Sequence, residues 1–138
     1  MALKSKDPVE AAPHASRGAR VLLVDDHIMV REVLHTIVNG YSGLSVVGEA
    51  VNGLGAIAVA AAIKPDIILM DVNMPMMNGI EATKHIKAAQ PAIIVIGLSI
   101  NNCSEVVERM KEAGADAFLS KETAADQLYD LILQSTHD

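Results

Sequence analysis

The sequence predicts an α/β domain with a doubly wound, open parallel sheet. Five short aliphatic runs, of which the first and third suit strands buried on both faces, alternate with five segments of helical periodicity. Right-handed crossovers between such strands place helices on both sides of the sheet. A chain of 138 residues is about one domain long and buries enough surface for a core without disulfides.

The first two strand–helix units occupy the first half of the domain. Residues 21–24 form an aliphatic run that predicts strand 1, and residues 28–39 place apolar side chains at helical spacing for helix 1. Strand 2 is predicted over residues 45–49 and helix 2 over residues 54–64. Helix 2 ends there because the residue before a proline resists helical backbone angles.

The second half of the chain repeats this design. Strand 3 is an aliphatic run that ends in a carboxylate, as strand 1 does. Gly114 is expected to cap helix 4 at its C-terminus, and Thr123 is expected to cap helix 5 at its N-terminus. The predicted elements are strand 3 (66–71), helix 3 (79–90), strand 4 (92–98), helix 4 (104–113), strand 5 (117–119) and helix 5 (123–134).

Residues 1–18 show no periodicity and are predicted to be a flexible tail, with the globular domain over residues 19–138.

Composition and charge exclude several classes of function. A net charge of −6 disfavours direct binding to nucleic acid or to anionic membranes. The single cysteine cannot form an internal disulfide, and no signal peptide or membrane-spanning run is present, so we expect a cytoplasmic protein.

Polar side chains collect at the carboxyl ends of the predicted strands. Asp25 and Asp26 close strand 1, Asp71 closes strand 3, Ser99 follows strand 4 and Lys121 follows strand 5. The carboxyl ends of parallel strands lie at one edge of the sheet, where ligands bind. Three carboxylates in one cleft repel one another, which favours either a raised pKa or a bound cation.

The cation that fits this edge best is Mg²⁺, with Mn²⁺ as its substitute. Magnesium is bound through one or two carboxylates and keeps positions for water and phosphate oxygens. A carboxylate in such a site can act as a nucleophile toward phosphorus. Asp71 is the best candidate, because the loop that follows it, residues 73–79, leaves its side chain accessible.

At these residues the chain resembles the receiver domains of two-component response regulators, from about residue 21 to residue 133. The resemblance is carried by VLLVDDH at 21–27, DIILMDVNMP at 66–75 with NG at 78–79, IGLS at 96–99, and FLSK at 118–121. The opening DDHxxVR, and a lysine not followed by proline, resemble the branch usually joined to a LuxR-type helix-turn-helix output domain.

The resemblance implies a flavodoxin-like sheet of order 2-1-3-4-5 and a role for each motif residue. Asp71 would be the phosphoacceptor, and Asp26, Asp71 and the backbone carbonyl of Asn73 would bind the metal, with Asp25 supporting it through water. Lys121 would pair with the phosphoryl group. Ser99 and Phe118 would form a conformational switch, in which the Ser99 hydroxyl and the Phe118 ring move together.

The resemblance also implies partners. A histidine kinase or phosphotransfer protein would donate the phosphoryl group, helices 1, 4 and 5 would supply contact surfaces, and a homodimer would form on phosphorylation. The domain would be a regulatory phosphoacceptor that promotes its own phosphorylation and dephosphorylation, without being an enzyme acting on other substrates. The chain is consistent with a stand-alone receiver or with a piece of a longer regulator.

Two positions depart from the family pattern. Ile100 is larger than the residue many receivers have there and would restrict access to Asp71, while Glu122 replaces a common proline, so a trans peptide is expected.

Two alternative functions remain open. One is a phosphorylation-independent interaction module. The other is a phosphohydrolase of the haloacid-dehalogenase type, which needs a second acid where this chain has Asn73. His27 is interpreted as a bystander of the acidic pair.

Overall fold

A computed structural model describes residues 18–74, 76–99 and 104–121, and also residues 127, 128, 130 and 131. Strands and helices alternate throughout these ranges. The elements are β1 (Ala19–Val24), α1 (Ile28–Asn39), β2 (Leu44–Ala50), α2 (Gly53–Ile63), β3 (Ile67–Asp71), α3 (Gly79–Ala89), β4 (Ile94–Ser99), α4 (Ser104–Ala113) and β5 (Ala117–Ser120).

The five strands form one parallel sheet in the order β2-β1-β3-β4-β5. This is the flavodoxin-like order 2-1-3-4-5, so the predicted fold class and strand order are confirmed. The chain runs from β1 outward to β2 and then crosses back past β1 to β3. The order therefore reverses beside β1 and β3, and the carboxyl ends of these two strands flank the crevice where such sheets bind ligands.

Two apolar layers hold the sheet, one on each face. Leu34 and Val38 of α1 pack on one face against alternate residues of β1, β3 and β4, and Leu128 joins them. Side chains of α2, α3 and α4 pack on the other face, among them Ala60 and Met110. In β3 every residue is buried, because both faces of this central strand are covered. Its unbroken aliphatic run is the expected signature of that position.

Several boundaries differ from the sequence-based expectation by one or two residues. β1 begins at Ala19, whose N–H donates to the Gly43 carbonyl at 2.6 Å. α2 begins one residue earlier, because the Asn52 side chain accepts a hydrogen bond from the Gly55 N–H at 2.8 Å and caps the helix. Ser99 is the last residue of β4 and does not follow it.

The fifth predicted helix falls largely outside the described residues. Gln127, Leu128, Asp130 and Leu131 are helical, and Leu128 is buried in the core. The expectations about Ile100, about the peptide bond before Glu122, about the lone cysteine and about the N-terminal tail also concern residues outside the described ranges. Within those ranges, no helix is both long and apolar enough to cross a membrane.

The turn from β3 into α3 requires glycine at position 79. A Cβ atom there would collide with the Asp71 carbonyl oxygen. The Gly79 N–H donates to the Val72 carbonyl at 2.8 Å, and the Asn78 side chain accepts from the Glu81 N–H at 3.0 Å. The start of α3 is thereby held tightly against the end of β3, which fixes the backbone that carries Asp71.

The doubly covered position of β3 predicts a large cost for truncating its side chains. Replacing Leu69 with alanine should lower the free energy of unfolding by about 2–5 kcal/mol, because Leu69 is fully buried and its removal leaves a cavity. Urea denaturation followed by circular dichroism measures the change. Val33→Ala on α1, where 57% of the side chain is exposed, is the control and should change the value by less than about 0.5 kcal/mol. Equal losses in both variants would contradict the assigned core.

Candidate functional site

Three carboxylates meet at the carboxyl edge of the sheet, as the sequence predicts. Asp71 ends β3 and is only 2% exposed, so the accessible side chain expected from the loop after it is not observed, while Asp25 directly follows β1 and is fully buried. Asp26 is partly exposed beside them. One donor atom from each of these residues and from His27 can be chosen so that all four atoms lie within 4.8 Å of one another. Separate strands of the sheet thus bring together residues that are far apart in sequence.

Lys121 supplies the positive charge of the cluster. Its Nζ lies 2.7 Å from Asp25 Oδ2 and 3.1 Å from Asp71 Oδ1, so one ammonium group bridges the two buried carboxylates. The lysine directly follows β5, and its backbone N–H donates to the Ser99 carbonyl at 2.9 Å. The parallel pairing of β4 and β5 therefore aims the side chain across the edge of the sheet.

Burial and crowding of charge alter the acid–base properties of both partners. Burial raises the pKa of Asp71, the nearby Asp25 charge raises it further, and the hydrogen bond from Lys121 only partly offsets these effects. For Lys121, burial alone would lower the pKa, but the hydrogen bonds to Asp25 and Asp71 outweigh it and the pKa rises. The lysine is thus firmly cationic, whereas ionised Asp71 is held at an electrostatic cost.

His27 is more closely engaged with the acidic pair than the sequence analysis indicated. It is the N-cap residue of α1, and its backbone N–H donates to Asp25 Oδ1 at 2.9 Å. Its ring Nδ1 lies 3.1 Å from Asp25 Oδ1 and 3.1 Å from Asp26 Oδ1. The interpretation as a bystander does not describe this geometry, and the position directly after two aspartates was the signal for it.

Arg31 is a second residue whose contact with the site the sequence analysis did not identify. Its Nη1 donates to the backbone carbonyl of Asp25 at 2.8 Å, and its Nε donates to Glu49 Oε1 at 2.8 Å. The guanidinium group therefore ties the turn after β1 to the neighbouring strand β2. Its place in the DDHxxVR motif was visible in the sequence, but its contacts required the fold.

The donor atoms fit a hard divalent cation. Asp71 Oδ2 is buried and has no hydrogen-bond partner among the described residues. An ionised oxygen left in this state is costly unless a cation or a donor reaches it. Carboxylate oxygens on one side of a cleft are the ligands that Mg²⁺ prefers. Asn73, whose backbone carbonyl is the further predicted ligand, lies in the exposed loop after β3.

The two predicted switch residues lie on one face of the sheet. Ser99 is buried, and Phe118 pairs in register with Gly97, two residues before Ser99 on β4. Side chains two residues apart on a strand share a face. A Cβ atom on Gly97 would come within 2.8 Å of both the Phe118 ring and the Met110 methyl group. The aromatic ring therefore occupies space that only a glycine leaves open.

Sheet order and acidic edge together define a flavodoxin-like receiver fold. The family described as "Response regulator receiver domain" matches residues 21–133, and the chain belongs to that family. The resemblance drawn from the sequence motifs is thereby confirmed.

Two bacterial regulators with similar sequences support this assignment. The transcriptional regulatory protein YdfI of Bacillus subtilis is 40% identical over 110 residues, which are 80% of this chain and 51% of that protein. The response regulator protein VraR of Staphylococcus aureus is 40% identical over 117 residues, 85% of this chain and 56% of that protein. The chain thus spans about half the length of these relatives.

Solved structures show the same fold. A LuxR-family two-component response regulator from Aurantimonas is 32% identical with a TM-score of 0.81, over 85% of this chain and 84% of that one. The response regulator domain of Thermotoga maritima CheB is 34% identical with a TM-score of 0.82, over 88% of this chain and 98% of that one.

The raised pKa of Asp71 predicts a pH-dependent gain in stability when its charge is removed. The folded state binds the Asp71 proton more tightly than the unfolded chain, where the pKa is near 3.8. Stability associated with this carboxyl is therefore full below that pH and is lost as the pH rises through the folded-state pKa. With chelator present, Asp71→Asn should raise the urea midpoint at pH 7, and the gain over wild type should shrink toward pH 3.8.

Comparison with Glu112→Gln, an exposed carboxylate on α4, isolates the effect. This control should shift the midpoint little at any pH. An Asp71→Asn protein less stable than wild type at pH 7 would contradict the electrostatic description of the cluster.

Proposed function

We propose that this domain accepts a phosphoryl group on Asp71 from a phosphohistidine of a histidine kinase or phosphotransfer protein. The observation that carries the proposal is the state of Asp71. Its carboxylate is buried at the carboxyl edge of the sheet, with one oxygen paired to the Lys121 ammonium and the other lacking a hydrogen-bond partner among the described residues. Such a group is poised to bond to an incoming electrophile while its charge partner stays in place.

In the transfer, a carboxylate oxygen of Asp71 forms a bond to phosphorus as the nitrogen–phosphorus bond of the donor breaks. The donor imidazole keeps the electron pair of the broken bond and takes a proton from solvent, and an acyl phosphate remains on Asp71. Lys121 lies within reach of this carboxylate and would pair with the phosphoryl oxygens. Catalysis of this kind is mainly positioning and charge stabilisation.

A divalent ion, Mg²⁺ or Mn²⁺, would neutralise charge on the transferring oxygens when bound. Asp26, Asp71 and the Asn73 backbone carbonyl would hold it, and Asp25 would support it through water. The Asp71 oxygen that has no hydrogen-bond partner in the described part of the chain, and the four clustered donor atoms, support this assignment.

The response to phosphorylation would pass through Lys121 to the switch residues. Lys121 hydrogen-bonds through its backbone to the residue that carries the switch hydroxyl, Ser99, at 2.9 Å. Movement of Ser99 toward the phosphoryl group would free space for the Phe118 ring, which lies on the same face of the sheet. Two packings whose balance a phosphoryl group shifts would then form the signal.

The surface next to the site suits a protein partner. Ile28 and Met29, directly after His27, are 60% and 72% exposed, and Met76 in the loop after β3 is 73% exposed. Apolar side chains exposed around a charged centre are typical of protein contact surfaces. We assign this surface to the phosphoryl donor, in a cytoplasmic setting, and we expect a homodimer to form after phosphorylation.

The proposal also covers the segment of a longer regulator that this domain would control. Relatives named as transcriptional or response regulators are about one and a half times as long as this chain, and the matched region covers only about half of them. We infer that the domain, over residues 19–138 with a tail before it, controls a DNA-binding segment of the LuxR type. Direct nucleic-acid binding by these residues themselves is disfavoured by the net charge of −6.

Replacing the phosphoacceptor should abolish phosphoryl uptake without unfolding the domain. Incubation with acetyl phosphate and Mg²⁺ should add one phosphoryl group to wild type and to Glu112→Gln, but none to Asp71→Ala. Intact-mass spectrometry measures the gain, which should be lost in mild base and should require the metal. Uptake by Asp71→Ala would refute the proposal, and failure of wild type with both acetyl phosphate and an active histidine kinase would favour a phosphorylation-independent interaction module.

Replacing Lys121 should separate phosphorylation from the conformational response. The chain contains a single phenylalanine, so fluorophenylalanine labelling yields one ¹⁹F resonance, from Phe118. Beryllofluoride with Mg²⁺, standing in for the phosphoryl group, should shift this resonance in wild type and leave it largely unmoved in Lys121→Ala. Lys111→Ala, an exposed lysine on α4, is the control and should respond as wild type does. An equal shift in Lys121→Ala would remove the lysine from the switch.

A further inference from the structure

We infer that His27 is a metal ligand through Nδ1, and that the site therefore selects a transition-metal ion such as Mn²⁺ over Mg²⁺. The inference rests on the metal site of the proposed function and adds a nitrogen donor to it. It assigns a role to the imidazole of His27, which the fold places directly on the acidic pair.

The position of the ring matches what metal coordination requires. Nδ1 lies 3.1 Å from one oxygen of Asp25 and 3.1 Å from one oxygen of Asp26. Adjacent ligands in an octahedral site are about 3 Å apart and opposite ligands about 4 Å apart, given metal–ligand distances near 2.1 Å. The four donor atoms of Asp25, Asp26, His27 and Asp71 span at most 4.8 Å, close to this range.

A second observation indicates that a cation belongs here. Asp71 Oδ2 is buried and unpartnered among the described residues, although Lys121 already contacts the other oxygen of the same carboxylate. One lysine therefore does not satisfy the negative charge of three aspartates. A divalent ion held by Asp26, Asp71 and the Asn73 carbonyl, with Nδ1 of His27 added, would leave two octahedral positions for water or phosphoryl oxygen.

The backbone also holds the imidazole in place. The His27 N–H donates to Asp25 Oδ1 at 2.9 Å, and the residue is the N-cap of α1. The ring side chain makes no capping hydrogen bond, so its replacement leaves the start of the helix intact. Some 63% of the side chain is exposed, which gives an ion a path to Nδ1 from solvent.

The nature of the donor atoms determines the metal preference. Oxygen-only sites suit Mg²⁺, whereas imidazole favours first-row transition metals. Coordination through Nδ1 requires the ring proton on Nε2, since the lone pair of Nδ1 then points at the ion. If the ring instead carries its proton on Nδ1, the same distances describe hydrogen bonds to the carboxylates and the ion has only oxygen ligands. The two arrangements differ in whether nitrogen is bonded to the metal.

Electron spin echo envelope modulation of bound Mn²⁺ separates the two arrangements. A directly bonded imidazole nitrogen modulates the echo with a ¹⁴N signature. We expect this signature in wild type and in His85→Ala, an exposed histidine on α3, and expect it to be absent in His27→Ala. Free Mn²⁺ measured by electron paramagnetic resonance, with Mg²⁺ as competitor, yields both affinities. His27→Ala should weaken Mn²⁺ by at least about 10-fold, the lower range for loss of even an outer-shell partner, and change Mg²⁺ by less than about 3-fold.

Each other outcome overturns the inference. Bound Mn²⁺ without ¹⁴N modulation in wild type would place His27 outside the coordination sphere, while the metal site of the proposed function would stand. Equal weakening of both ions in His27→Ala would show that the ring acts only through the carboxylates. Failure of wild type to bind either ion would reject this inference together with the metal site on which it rests.

Discussion

The bridge from Lys121 to Asp25 and Asp71 is the interaction on which the rest of the site depends. Two carboxylates buried at one edge of a sheet repel each other and lose hydration, and a cation between them offsets both costs only while its geometry holds. The 2.7 Å and 3.1 Å contacts meet that condition. They also leave one oxygen of Asp71 without a hydrogen-bond partner among the described residues.

The fold assembles this arrangement because the carboxyl ends of parallel strands lie at one edge of the sheet. β1 brings the acidic pair, β3 brings Asp71, and β5 brings Lys121 from the far side of β4. Tight packing fixes each approach, as when the absence of a side chain at Gly79 lets α3 start against the Asp71 carbonyl. The precision of the site therefore comes from the sheet and its turns, while a mainly apolar core on each face supplies the stability.

Much of the fold followed from local pattern in the sequence. Aliphatic runs ending in aspartate marked β1 and β3, and the bounds of α1 and α4 matched the helical periodicity. The edge that holds the site followed from the same logic. The contacts of His27 and Arg31 did not, because they depend on the path of one turn after β1 and on the neighbouring strand β2. Start and end residues of β4 and α2 depended on capping and turn hydrogen bonds that periodicity does not encode.

The bare backbone at Gly97 has a consequence for the packing on this face of the sheet. Around β3 the side chains are packed on both faces, since every residue of that strand is buried. Beside Gly97 the contacts come from the Phe118 ring and the Met110 methyl, and a thioether chain adapts its shape readily. Among the described residues, the packing around β3 is thus closed on both faces, whereas the packing beside Gly97 includes a flexible thioether chain, that of Met110.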